Sequence, residues 1–377
     1  MYIKTNLNQN ILEATRLLKP GTDEALFLLI GEEDSGIDPP KLIGDLNQAK
    51  VNFFGGFFPA LIYGQESAKS GAIAVKLPLS RQPLVIKDLD KDTIDLSAVE
   101  NYMMPCGTSK CTAIILVDGL TKNIGGFLSG LYDKVANTVN YIGGGAGSLS
   151  LKQKPCLFTN KGLFQDAAII TLLPLAGSLG VYHGWAKLAG PLVATKTERN
   201  AIYELNWNNA FETYRNIVEA DCGCSITADN FFQVSKGYPF GMIKDDAERI
   251  VRDPIVVGPQ GELICVGAVP ENSVVDILKG EPATLIRAAG QAAMESNIVK
   301  GELIEHQLIF DCISRVLFLE AAFKEELEAI NAGLKNNDFT GDPFGALTLG
   351  EISSSGEGYL EFFNKTVVTG VLYREHI

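Results

Sequence analysis

A chain of 377 residues, 46% hydrophobic and 20% charged, carries enough apolar material for a sizeable core and too much for a disordered polymer. Its formal net charge of -13 argues against duplex DNA or RNA as a partner, since that binding needs a basic face to displace counterions. One arginine with a few amides still suffices for a local anion pocket, and the length predicts two domains or one built from two large sheets.

The first residues, Met1–Leu7, lack the charged-then-apolar layout of a secretory signal. The apolar run Ala167–Gly180 is broken by Pro174 and Gly177 and is too short to span a bilayer. A cytoplasmic protein without membrane insertion is expected. The seven cysteines are scattered, which predicts a reducing compartment with mostly free, buried thiols. Cys106/Cys111 and Cys222/Cys224 lack the spacing of a zinc knuckle, and three histidines are too few for a histidine-rich metal cluster.

In chain order, Asn8–Leu18 reads as a helix stopped by Pro20-Gly21, and Ala25–Ile30 as an apolar strand. A polar turn over Gly31–Pro40 leads to a helix at Lys41–Lys50 and strands at Val51–Gly56 and Gly71–Leu77. A strand at Ala113–Val117 precedes a helix from Gly125 or Gly126 to about Asn137. Cys156–Thr159 and Asp166–Leu173 resemble two strands of a hairpin or meander. Val193–Glu204 is extended and Asn208–Glu219 helical, with a junction between about residues 205 and 225. Strands follow at Phe240–Ile243, Ile250–Val257 and Leu263–Val266. A long helix is predicted from about Pro282 or Ile298 to Ala332, with Ile309, Cys312, Ile313, Val316 and Phe323 on its inward stripe. Strands at Ala346–Ile352 and Thr366–Tyr373, joined through Ser353–Gly358, close the chain. This alternation indicates a mixed α/β or α+β core, and no internal sequence repeat is legible.

Several segments carry candidate chemistry. The cluster Gly143–Gly147 with Ser148 either presents amide donors to an anion or is a tight strand crossing. It fits neither GxGxxG nor a Walker motif, and Gly-Ala-Gly-Ser-Leu is not a hydrolase nucleophile elbow. His183-Gly184-Trp185 joins a titratable donor to a flat stacking face. Tyr238-Pro239-Phe240-Gly241 is a rigid turn into a strand. Arg252, at a strand end, either clamps a ligand carboxylate or pairs with Asp253 or another acid. Asp311, Cys312 and Arg315 form a compact set, with Cys312 a buried thiol or a nucleophile lacking an evident base. Glu351 ends an apolar strand where its carboxylate can meet an amine, and Asn364 holds a turn. His306 and His376 read as ordinary positions.

Taken in order, YIGGGAGSL, HGW, ATKTERNAIYELNWNNAFETYRNIV, YPFG, RDPIVVGPQGELICVGAVPENSVV, FDCISRVLFL, FGALTLGEISS and FFNKTVVTGVL make the chain resemble a FIST-domain protein with both N-terminal and C-terminal regions. Two departures are Phe363-Asn364 where the family has His-Asn, and His183-Gly184-Trp185 without the familiar following proline. The resemblance implies an α+β fold of two pseudo-equivalent halves, 1–207 and 208–377, with β-sheets flanked by helices and a ligand cleft between them. It further implies an intracellular sensor of a small molecule, an amino acid or related metabolite, signalling to a histidine kinase or other protein in trans. The implied ligand-binding set is Gly144, Gly145, Gly147, Ser148, His183, Trp185, Tyr238, Arg252, Cys312, Arg315, Glu351 and Asn364. The alternatives are an enzyme using Cys312 or Ser148, and a gas sensor with haem iron on His183.

Overall fold

The computed structural model describes all residues except 5–6, 33–35, 105–109, 137, 244–249, 300, 337–338, 356–358 and 376–377. The expectations on Cys106, Asn137, Glu248, Arg249, His376 and the tip of the Ser353–Gly358 turn therefore lie outside the described residues.

One order of elements occurs three times. The first unit runs β1 (Tyr2–Ile3), α1 (Leu7–Leu18), β2 (Glu24–Gly31), α2 (Pro39–Gln48), β3 (Phe53–Phe58), β4 (Ala60–Tyr63), β5 (Glu66–Ala68), β6 (Ala72–Pro78). The second repeats it as β7 (Leu84–Ile86), α3 (Val99–Met103), β8 (Thr112–Asp118), α4 (Ile124–Val135), β9 (Asn140–Ala146), β10 (Leu157–Thr159), β11 (Gly162–Phe164), β12 (Ala168–Leu173). The third opens with β13 (Ala176–Tyr182) and is then interrupted. The interruption comprises β14 (Ala186–Glu198), β15 (Ala201–Leu205), β16 (Asn208–Asn209), α5 (Ala210–Cys222), α6 (Phe231–Ser235), β17 (Phe240–Met242), β18 (Ile250–Val257), β19 (Leu263–Val266) and β20 (Val274–Lys279). The unit resumes with α7 (Pro282–Ser296), β21 (Leu303–Cys312), α8 (Ile313–Leu319), α9 (Phe323–Leu334), β22 (Phe344–Thr348), β23 (Glu351–Ser355), β24 (Tyr359–Phe363) and β25 (Val367–Arg374).

Each unit builds a sheet around one parallel pair, β2/β3, β8/β9 or β21/β22, joined by crossover helices and flanked by an antiparallel return strand. Each then sends its hairpin to a neighbour. The strand orders are β1-β6-β2-β3-β10-β11, β7-β12-β8-β9-β23-β24 and β13-β25-β21-β22-β4-β5. The first unit's hairpin thus completes the third sheet, the second's completes the first, and the third's completes the second.

A glycine marks the same register position in every unit. A Cβ on Gly55 would lie 1.9 Å from the carbonyl of Leu28, on Gly143 1.8 Å from Ile115, and on Gly345 1.6 Å from Ile309. Only glycine tolerates that approach of a parallel neighbour. Beyond the strands, the Gly147 amide donates to Phe57 O at 2.8 Å and Leu349 to Gly145 O at 2.9 Å, while Pro59 has no N–H to donate at the third equivalent position.

The inner faces share one core, in which Phe27 and Phe54 meet Leu116 and Ile142 of the second sheet and Phe310, Ala346 and Val368 of the third. Each fully buried Leu, Ile or Phe there contributes about 1.5–3 kcal/mol. Helices α3 and α4 cover the outer face of the second sheet, and α7 to α9 that of the third. The interrupting segment is a closed antiparallel barrel, β14-β20-β17-β18-β19-β15, sealed by the β14–β15 pairing. Its core takes in Tyr214 and Val218 of α5 and Phe231 of α6.

The mixed α/β class with sheets flanked by helices is what the structure shows. Within this framework the repeated order of elements runs over three units, and three sheets, the barrel's included, combine strands from both sides of residue 207. The long helix from Pro282 or Ile298 to Ala332 is helical at Pro282–Ser296, Ile313–Leu319 and from Phe323 on, but needs correction between them. Leu303–Cys312 is a strand between β22 and β25, and its short apolar stretch Leu308–Phe310 suits a buried strand as well as a helix. Cys156–Thr159 and Asp166–Leu173 lie in different sheets, paired to β3 and β8.

A fragment spanning 208–377 lacks β4, β5 and β13, the neighbours of β22 and β25, and should show no cooperative thermal transition by itself. Co-expression with 1–207 should restore one. A monomeric 208–377 fragment with a sharp transition and native amide dispersion would contradict this interlocking.

Candidate functional site

Arg315, the largest fully buried side chain, lies in α8 just beyond the carboxyl end of β21. Such a group stays inside only if all its donors are satisfied. Nε and Nη2 donate to Glu326 Oε1 at 3.0 Å and Oε2 at 2.5 Å, a bidentate pair with α9. Nη1 donates to the carbonyls of His183 (2.6 Å) and Lys365 (3.1 Å), and Nη2 also to that of Leu285 (3.0 Å). Asp311 Oδ1 lies 3.5 Å from Nε. His183 sits where the chain leaves β13 for the barrel, and Leu285 lies in α7 just after it returns. One guanidinium therefore pins both crossings.

The other residues of this cluster are equally enclosed. The Trp185 amide donates to His183 Nδ1 at 2.9 Å, which puts the neutral ring's proton on Nε2. Trp185 Nε1 donates to Lys365 O at 3.0 Å, and the Lys365 ammonium stands 5.0 Å over the indole. Lys365 Nζ also reaches Asp253 Oδ2 at 3.1 Å and Lys236 O at 2.9 Å. Asp253 is thus the partner of Lys365 and not of Arg252; burial raises its pKa. The surroundings of His183 are charged and hydrogen-bonded, which does not fit the apolar slot of a haem macrocycle.

Glu351 on β23 faces Gly144 across the sheet, where a glycine Cβ would meet Thr348 Cγ2 at 2.7 Å. Its Oε1 accepts from Thr348 Oγ1 at 2.8 Å, and its Oε2 accepts from the Thr366 amide at 3.4 Å. Burial pushes the Glu351 pKa up to about 8, so it is largely a neutral acid at pH 7. The Cys312 pKa is raised by burial and by Glu351, which keeps it a thiol and not a nucleophilic thiolate. Asp311 is likewise raised, by burial and by neighbouring Glu326.

The remaining sequence candidates scatter. Gly145 and Gly147 spend their amides on Gly350 O and Phe57 O, both at 2.8 Å, inside the sheet junction. Ser148 Oγ is buried against Ser150 Oγ at 2.8 Å. Tyr238 donates to Asp221 Oδ2 at 2.8 Å on the barrel, where burial and that carboxylate push its pKa up to about 12. Asn364 is buried beside Lys365, and its carbonyl accepts from Thr366 Oγ1 at 2.9 Å.

Arg252, on β18, is different. Its guanidinium is buried, with Nε donating to Ala268 O (2.9 Å) and Nη1 to Val251 O and Phe362 O (both 3.0 Å). Among the described residues Nη2 carries no hydrogen bond and no carboxylate forms an ion pair with the group. Burial lowers its pKa to about 10, and the nearby Glu361 carboxylate offsets only part of the lost hydration. Arg252 lines a cavity of about 140 Å³ with Gly125, Leu128, Ser129 and Tyr132 of α4 and Leu360, Glu361 and Phe362 of β24. The cavity occupies one of three equivalent seams between a crossover helix and an imported hairpin. At the other two, amides bridge helix and hairpin directly, Asn160 to Asn47 at 2.9 Å and Asn331 to Gly64 O at 2.8 Å.

The sequence reading missed Glu326 and Lys365. Lys365 is charged within an otherwise uncharged segment, an available signal, whereas Glu326 sits among Lys324, Glu325 and Glu328 and carries none. Among the described residues, no group of three or more His, Cys, Asp or Glu is placed to hold a metal ion, and no helix is long and apolar enough to cross a membrane.

A mixed α/β body thus carries an inserted barrel, with the buried Arg252 beside a small cavity. Residues 24–208 match the FIST N domain and residues 210–354 the FIST C domain. The chain belongs to the FIST family of sensory and signal-transduction modules. No curated protein matches it.

Glu326→Ala should strand the Arg315 charge and cost about 3–5 kcal/mol in denaturant unfolding, whereas an exposed-pair control, Glu328→Ala, should cost about 0–1 kcal/mol. Glu351 keeps its proton in the folded state to about pH 8, while the unfolded chain loses it near its ordinary 4.5. Its contribution to stability is therefore fully present below that value and is lost as pH rises toward 8. The difference in melting temperature between wild type and Glu351→Gln should drift across that window in favour of the variant. A pH-independent difference would contradict the assignment.

Proposed function

We propose that this chain is a cytoplasmic sensory protein that binds a small anionic or zwitterionic metabolite, an amino acid or close relative, at the Arg252 cavity and reports it to a signalling protein in trans. The observation that carries the reading is the buried guanidinium beside a cavity with one nitrogen uncommitted. Glu361 offsets the cost of burying it only through space, and a ligand carboxylate would supply the direct partner for the open nitrogen. Arg315 suits the role less well, because its five N–H groups are already used within the protein.

Two neighbours support the choice of ligand class. Gly125 lies in the first turn of the twelve-residue helix α4, so the positive end of the helix adds to Arg252 in favouring an anion. Glu361 brings a carboxylate to the same lining, so the cavity carries both signs of charge. Leu128, Leu360 and Phe362 supply the apolar wall. The volume lies below the roughly 300 Å³ at which drug-sized sites begin, which favours a small metabolite over a nucleotide. The cavity is bounded by α4, the third unit's hairpin and the barrel, so a ligand there touches three parts of the molecule at once. The partner is proposed to be a histidine kinase or another signalling protein that reads their relative position.

A thermal-shift screen with amino acids and small carboxylates tests this. A ligand at 100 times its Kd should stabilise the fold by about 2.7 kcal/mol. Arg252→Ala should abolish the shift, and so should Gly125→Leu, whose side chain enters space that is empty around the glycine. The exposed control Arg199→Ala should leave it intact. No shift with any member of the panel, or an unchanged shift in both site variants, would overturn the reading.

A further inference from the structure

Helix α5 ends at Cys222, Gly223 follows in the left-handed conformation (φ 66°), and Cys224 closes a disulfide back to Cys222. This bond spans two positions of sequence, and the shortest loops gain least from closure. Nor does the end of the helix need it. The Gly223 amide donates to Glu219 O at 2.9 Å, the Ile226 amide to Glu219 Oε1 at 2.6 Å, and Asp221 is held by Tyr238 and Lys279.

The pair is set apart from the other described cysteines by access. Cys111, Cys156, Cys265 and Cys312 are buried and outside any disulfide, whereas Cys222 and Cys224 are both part-exposed on either side of an exposed glycine. A Cβ at Gly223 would meet nothing within 4 Å, so the space beside the pair is open. In a reducing compartment, an accessible disulfide that adds little stability is the kind that turns over.

We propose that Cys222-Gly223-Cys224 is a thiol–disulfide exchange site whose co-substrate is a low-molecular-weight thiol of the glutathione class. The thiolate of the small thiol attacks Cys224 Sγ; the bond between the protein sulfurs breaks, and its electron pair leaves on Cys222 Sγ. The Cys224 amide, 3.2 Å from that sulfur, donates to the departing thiolate and opposes the unfavourable negative end of α5. A second small thiolate attacks the small-molecule sulfur of the mixed disulfide and releases Cys224. The protein has then gained two electrons and two protons, and two small thiols have become one small disulfide.

Redox titration of the folded full-length chain in reduced and oxidised glutathione mixtures, in a Cys106→Ser background, tests the assignment. Quenching with acid, alkylation and peptide mass measurement should show reversible conversion confined to the peptide carrying Cys222 and Cys224. Cys222→Ser should accumulate a glutathione adduct on Cys224, and Cys224→Ser several-fold less adduct on Cys222. Both variants should keep the wild-type melting temperature. A pair that stays reduced at every ratio, or a disulfide that survives excess reduced glutathione in the folded protein, would overturn the proposal. So would a large fall in melting temperature in both variants, which would make the bond structural.

Discussion

Arg315 fixes the inserted barrel to the three-sheet body. Its side chain spans from the end of β21 to α9 through Glu326, and its remaining donors hold the backbone at His183, Leu285 and Lys365. Two of those carbonyls belong to the segments through which the chain leaves and rejoins the third unit. A hydrophobic contact there would hold the segments together without fixing their angle. A planar guanidinium with a set direction for each bond defines the angle as well, and with it the place where β18 delivers Arg252 to the α4 seam.

Around that clamp, hairpin exchange makes the three sheets interdependent. Each sheet is completed by strands of another unit, so the units do not separate without exposing edges of β3, β9 and β22. One glycine per unit, at Gly55, Gly143 and Gly345, permits the close parallel pairing on which this depends. The pseudo-threefold plan is then broken chemically. All three units send apolar residues to the shared core, but the third also buries Asp311, Cys312, Thr348 and Glu351. The barrel is likewise inserted into the third unit alone. The plan is thus repeated in backbone and asymmetric in buried polar residues, which gather in the third unit.

Much of this was legible in the sequence, and the failures are physical. Apolar strands such as Ala25–Ile30 and Ala113–Val117 were clear because they are short, continuous and bounded by turns. The threefold repeat was not, because most of its shared content is backbone register; Gly55, Gly143 and Gly345 sit in FGGF, IGGG and FGAL, which share little beyond that residue. Leu303–Cys312 passed for a helix because a buried strand lacks polar alternation and Leu308–Phe310 lies close before the apolar α8. Arg252 stood out from its neighbours by charge, but which arginine is saturated and which is not depends on carbonyls distant in sequence: His183 for Arg315, Ala268 and Phe362 for Arg252. The glycine cluster drew notice by composition, yet its amides serve the junction between sheets. Composition marks where the backbone comes close to something without saying what it meets.

The central claim is that Arg252 has a donor reserved for a ligand while Arg315 is spent on the fold. Side-chain NMR of arginine labelled with ¹³C and ¹⁵N, followed while a stabilising small carboxylate is titrated in, reads both groups in one experiment. The account predicts a saturable shift of the Arg252 guanidinium resonances, with those of Arg315 unmoved. Saturable binding that leaves Arg252 unchanged, or that moves Arg315 instead, would contradict it.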